Sequence, residues 1–135
     1  MHRELLLVCV GLAGLTLHAL DETRTFGGPS GPPWVAQIAI VTLLTGLTAV
    51  HRRLGRLRLG LAGLLALLGL FVMSTGWSAH LWPLLQRGPG PADASGMLFF
   101  AGGVLLLGGG ALILRQTSAG GFALTVPRPR PGELE

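Results

Sequence analysis

The stretch Leu59–Trp82, LGLAGLLALLGLFVMSTGWSAHLW, decides the fold class. His80 is its one ionisable side chain, and it lies close to the end. As an α-helix the stretch is roughly 36 Å long, enough to cross a hydrocarbon layer of about 30 Å with some tilt. A run this apolar has no polar face to offer water. In a bilayer a helix satisfies every backbone N–H and C=O within itself, so the same run becomes stable there.

Three further apolar blocks lie on either side of it: Leu5–Leu20, Trp34–Val50 and Gly96–Leu114. The first is slightly short for a full crossing, and Glu4 and Asp21 are expected to extend it into the headgroup region. Its shape also suits a secretory h-region. Cleavage after Ala19 would place Leu17 at the −3 position, where a small residue is needed, so the segment is expected to be retained as a first helix. Pro33 suits the start of the second helix, and Pro83 is expected to end the third. Gly27-Gly28-Pro29, Gly31-Pro32-Pro33 and Gly88-Pro89-Gly90-Pro91 punctuate the connections.

Composition agrees with this reading. Of 135 residues, 50% are apolar and 12% charged, and the mean hydropathy is +0.61. Soluble domains carry about twice that share of charge. The expected fold is therefore an all-α membrane protein, four transmembrane helices in an up-down antiparallel bundle. The transmembrane domain covers residues 1–114, and a Gly- and Pro-rich tail covers 115–135.

All ten basic residues are Arg, which together with the Leu, Gly, Ala and Pro content points to a GC-rich bacterial genome and an inner membrane location. Arg3, Arg52, Arg53, Arg56, Arg58, Arg115, Arg128 and Arg130 fall on one side of the expected membrane, Arg24 and Arg87 on the other. The positive-inside rule then puts both termini in the cytoplasm. Trp34, Trp77 and Trp82 fall at the opposite interface, where indole rings settle. The net charge of +4 is accounted for by this distribution and gives no indication of nucleic-acid binding. Arg52, Arg53, Arg56 and Arg58 are expected to meet anionic lipid headgroups, and His51 to belong to the same basic loop.

Helix association in lipid depends on close backbone approach, so small residues mark seams. Ala62, Gly69 and Gly76 on the third helix and Gly96, Gly103 and Gly110 on the fourth each recur every seven residues. That period keeps a row on one face of a coiled-coil-like pair, and these two rows are expected to meet. Gly60, Gly63, Ala66 and Gly69 form a second row, and Thr42, Thr45, Gly46 and Ala49 a narrower small face on the second helix.

Chemistry-bearing groups are few. His18, Asp21 and Glu22 lie at the extracytoplasmic end of the first helix, His80 at that end of the third, with Gln37 and Asp93 at similar depth. Residues i, i+3 and i+4 share a helix face, so His18 can meet Asp21 or Glu22. Two imidazoles and one or two carboxylates suit zinc, iron or manganese. Alternatively, His18 and His80 are placed to ligate a b-type haem axially. Against both stands a plain alternative: interfacial histidines and solvated acids at a helix end. The pentapeptide His18-Ala19-Leu20-Asp21-Glu22 resembles the His-x-x-Glu-Glu signature of a family of small bacterial membrane proteins of unknown function. Asp21 departs from that pattern, and the resemblance implies nothing further.

The lone Cys9 forms no intramolecular disulfide and reads as a small apolar side chain. Ser74, Thr75 and Ser78 can bond back to their own helix. The sequence contains no Cys-x-x-Cys pair, His-Glu-x-x-His motif, phosphate-binding loop or nucleophile elbow, and no helix is charged at its centre. The expected function is that of a non-catalytic accessory or scaffolding subunit, associated with other membrane subunits or with itself. The alternative is a metal- or haem-binding membrane protein, redox or hydrolytic, with its site at His18, Asp21, Glu22 and His80.

Overall fold

The computed structural model describes residues 2–26, 34–90 and 93–121. They form α1 (Arg3–Phe26), α2 (Trp34–Val50), α3 (Leu57–Gly76), α4 (Trp82–Arg87) and α5 (Asp93–Gly121), with no strand among the described residues. A 3₁₀ turn, His51–Arg53, follows α2, and a π-turn, Trp77–Leu81, joins α3 to α4. Four helical stretches are long and apolar enough to cross a membrane: Arg3–Thr25, Val35–Arg53, Leu57–Arg87 and Ala94–Ala119. Among the described residues the chain is thus all-helical, with four candidate spans.

Three boundaries differ from the sequence expectation. Pro83 does not end the third span; helix continues through it to Arg87. A proline inside an α-helix lacks a donor for the residue four back and clashes with that carbonyl. Here the chain widens into the π-turn just before Pro83, where Trp82 N–H bonds to Trp77 O, five residues back. Gly88 then ends α4 at φ 80°, a conformation few other residues adopt, with its N–H on Leu84 O. Second, α1 starts at Arg3 and runs on to Phe26. Third, α5 passes Leu114 and continues to Gly121, so part of the expected tail is helical; residues 122–135 lie outside the described ones.

The core is organised around α5. On one face of it, a side chain at Gly103 would meet Gly69 O at 2.8 Å, and one at Gly110 would meet Ala62 O at 2.7 Å. Gly76 lies against Phe100 and Gly96 against the His80 ring. Numbers fall along α5 as they rise along α3. The two heptad rows therefore lie against each other, backbone to backbone, as close contact in lipid requires.

An adjacent face of α5 packs on α1 in the same way. A side chain at Gly102 would meet Gly11 O at 2.8 Å, one at Gly109 would meet Val8, and one at Gly14 would meet Leu98 O at 2.9 Å. Sequence reading missed this second seam. Gly60 and Gly63 line neither seam and face open space. Leu65, Leu106, Ile113, Val8 and Leu12 fill the interior between α1, α3 and α5, and Leu44 attaches α2 to the same cluster. Large apolar side chains such as Val35, Ile38, Leu67 and Phe71 are exposed, as expected of surfaces that face lipid tails.

Several hydroxyls along the helices are locally satisfied. Thr16, Thr48 and Thr75 each donate to the carbonyl one turn back, and Ser78 donates to Thr75 O.

Candidate metal centre

Where α1 finishes and α5 begins, three elements bring polar groups together. His18 sits on the inward face of α1 and is 5% exposed. Glu22, one turn later on the same face, places Oε1 3.6 Å from His18 Nε2. His80 enters from the π-turn, its ring 4.7 Å from that of His18, centroid to centroid, and nearly perpendicular to it at 87°. Phe99 of α5 backs His18 at 4.7 Å.

Two sequence features make room for this arrangement. The Cβ of any residue other than glycine at position 96 would collide with Cβ, Cγ and Nδ1 of His80. Gly96 thus serves the helix seam and the histidine together. The π-turn adds a residue to the helical register just where His80 must face inward, a use of π-turns frequent at functional sites.

Ser95, buried in the first turn of α5, links two of the sequence candidates. Its Oγ is 3.2 Å from His18 Nδ1 and donates to Asp21 Oδ2 at 2.5 Å. With the hydroxyl proton directed to Asp21, Ser95 Oγ accepts at His18, so Nδ1 carries the imidazole hydrogen. The Nε2 lone pair then faces Glu22 and His80. This is how metal-binding histidines are usually held, with the far nitrogen donating to a polar group that fixes the tautomer.

One ligand atom each from His18, Glu22 and His80 lie within 4.8 Å of one another. An ion bonded at about 2.0–2.2 Å needs its ligand atoms roughly 3.3–4.2 Å apart, a difference small side-chain rotations close. Two imidazoles and a carboxylate suit Zn²⁺, Fe²⁺ or Mn²⁺. They do not suit haem in this geometry. Axial imidazoles point their nitrogens at opposite faces of a flat macrocycle, whereas these rings are in edge contact with no slot between them.

The other sequence candidates fall elsewhere. Gln37 lines a separate small groove between α1 and α2 with Thr16, Ile38, Val41 and Thr42. The side chains of Asp93 and Trp34 lie outside the described residues. Trp77 and Trp82 are exposed at this end of the bundle.

At the opposite end is a cluster that sequence reading missed. Glu4 and His51 are each 2% exposed, so neither belongs to a solvated headgroup layer. His51 Nε2 is 3.4 Å from Glu4 Oε1 and 3.3 Å from Gln116 Oε1. Arg52, expected on lipid headgroups, reaches back to Glu4 Oε1 at 3.5 Å while its side chain stays more than half exposed. Nothing local in the sequence marks this group. A first-turn Glu is ordinary helix chemistry, and a His beside two Arg reads as part of a basic loop.

No protein-family model matches the chain, and no match to it was found among curated proteins or solved structures.

Proposed function

We propose that this protein is a multi-pass membrane protein that binds a divalent transition-metal ion through His18, His80 and Glu22, at the extracytoplasmic end of an up-down antiparallel bundle. The observation that carries this reading is the Asp21–Ser95–His18 chain. It presents the Nε2 lone pair to a pocket already faced by a second imidazole and a carboxylate. The up-down arrangement is supported by the pairing order of Ala62 with Gly110 and Gly69 with Gly103. Cytoplasmic termini are supported by the eight-to-two Arg distribution of the full sequence, and an inner bacterial membrane is the location that distribution suits.

Metal analysis of protein purified in detergent and loaded with Zn²⁺, Fe²⁺ or Mn²⁺ tests the proposal. One equivalent of ion is expected per chain, lost in His18→Ala and in His80→Ala while both variants remain helical. A metal-free wild-type protein after loading, or undiminished binding in both variants, overturns it.

A role as an accessory subunit is a second reading, compatible with the first. It draws on Gly60 and Gly63 of α3 and Gly46 of α2, where an added side chain meets nothing within 4 Å. These small faces suit a partner helix or a second copy of this chain. Co-purification of a fixed membrane partner, lost in Gly60→Leu, is the expected result.

A further inference from the structure

His18, Glu22 and His80 offer one ligand atom each. Structural Zn²⁺ sites are closed by four protein ligands, whereas catalytic ones hold the ion by three and leave a position to water. The surroundings of the three side chains decide between these two forms.

Among the described side chains, the α5 side supplies no fourth ligand. Phe99 stands there, its ring centroid 4.7 Å from that of His18 and 6.5 Å from that of His80. A phenyl ring carries no ligand atom and keeps water out. Ser95 Oγ lies at His18 Nδ1. Nδ1 and Nε2 lie on different edges of the imidazole, so a hydroxyl at one does not share an ion bound at the other. Asp21 is drawn to that same edge, because its Oδ2 takes the Ser95 hydroxyl. No further His, Cys, Asp or Glu among the described residues joins the group.

The other side is open. Glu22 keeps 24% of its side chain exposed and His80 is half-buried, while His18 is buried. Water thus reaches the group from the edge formed by Glu22 and His80. Charge favours the same outcome. Two neutral imidazoles and one carboxylate leave a divalent ion with a net positive charge, which draws an anion or acidifies a bound water.

We infer that an ion held by His18, His80 and Glu22 keeps a fourth coordination position facing water on the Glu22 and His80 side, and that this position exchanges its water for a small anionic ligand. Such a position, which presupposes the metal-binding reading above, makes the ion a Lewis acid of the catalytic kind rather than a structural clamp. The substrates it suits present a carboxylate, phosphate or carbonyl oxygen to the ion.

Loading the full chain with Co²⁺ in detergent and titrating it with sodium azide tests this. Co²⁺ occupies the same kind of nitrogen and oxygen site as Zn²⁺, and its visible absorption reports its ligands. One equivalent of cobalt is expected, with visible bands that shift saturably as one azide binds per ion. The same shift is expected in Asp21→Asn and in Asp93→Asn, because neither carboxylate occupies the fourth position. Cobalt bound with a spectrum that azide leaves unmoved overturns the open position and leaves the metal centre standing. An azide response seen only in Asp21→Asn or Asp93→Asn overturns it too, by showing that a carboxylate had closed the site. A wild-type protein that takes up no cobalt overturns the open position and the metal centre together.

Discussion

His18 and His80 stand edge to face, their ring centroids 4.7 Å apart, although one belongs to the first candidate membrane span and the other to the third. Two imidazoles at that separation, with Glu22 beside them, can share one ion. Protons compete with the ion for both rings, so affinity should fall as the medium is acidified.

Ser95→Ala removes the group that orients His18 without touching a ligand. Metal affinity should drop about 10–100-fold, the usual effect of losing such a partner, while stoichiometry stays at one ion. Asp21→Asn should lower affinity by less, since the amide oxygen still accepts from Ser95. Competition titration with a chromogenic chelator measures both.

Gly96→Ala should separate the site from the fold. The added methyl group occupies the position of the His80 ring, so His80 must swing out of the pocket. Metal binding is expected to be lost with helical content by circular dichroism unchanged. Retained binding would mean that His80 is not a ligand.

The seam on α5 is tested by contrast with an open position on α3. Gly103→Ala places a methyl group 2.8 Å from Gly69 O and from Met73 N, both backbone atoms that cannot move alone. It should destabilise the bundle by about 1–3 kcal/mol, the range for overpacking. Gly60→Ala meets nothing and should be neutral or stabilising by up to about 1 kcal/mol through helix propensity. Unfolding of the detergent-solubilised protein in increasing dodecyl sulfate reads both.

Pro83→Ala restores a backbone donor where the π-turn now accommodates its absence. The turn is then free to relax to α geometry, and a shift of one residue rotates the preceding face by about 100°. His80 would leave the pocket. Metal affinity should fall at least tenfold with helical content intact.

Hydropathy made the four spans legible, and α2 has the boundaries expected from Pro33 and the basic run after Val50. Sequence placed Ala62, Gly69, Gly76, Gly96, Gly103 and Gly110 in matched rows because a period of seven stays on one face of a helix. It could not single out Gly102 and Gly109, which serve α1, from so many other glycines. Pro83 misled, since a helix stop and a widened turn look alike in one dimension. His18, Glu22 and His80 were visible as candidates. Ser95 was not, because a serine near a helix start is ordinary capping chemistry until its hydroxyl is seen between His18 and Asp21.

Membrane insertion is a sum of local transfer costs. Each residue contributes according to its own side chain and its place in a short window, so the sequence by itself determined that this chain has four long apolar helices. A site depends instead on distances between residues far apart in the chain. Those distances follow from the face each helix turns to its neighbour, which the backbone contacts at Gly11, Gly69, Gly102 and Gly103 decide. Only the tertiary structure therefore brought His80 against His18, and buried Glu4 against His51 at the opposite end.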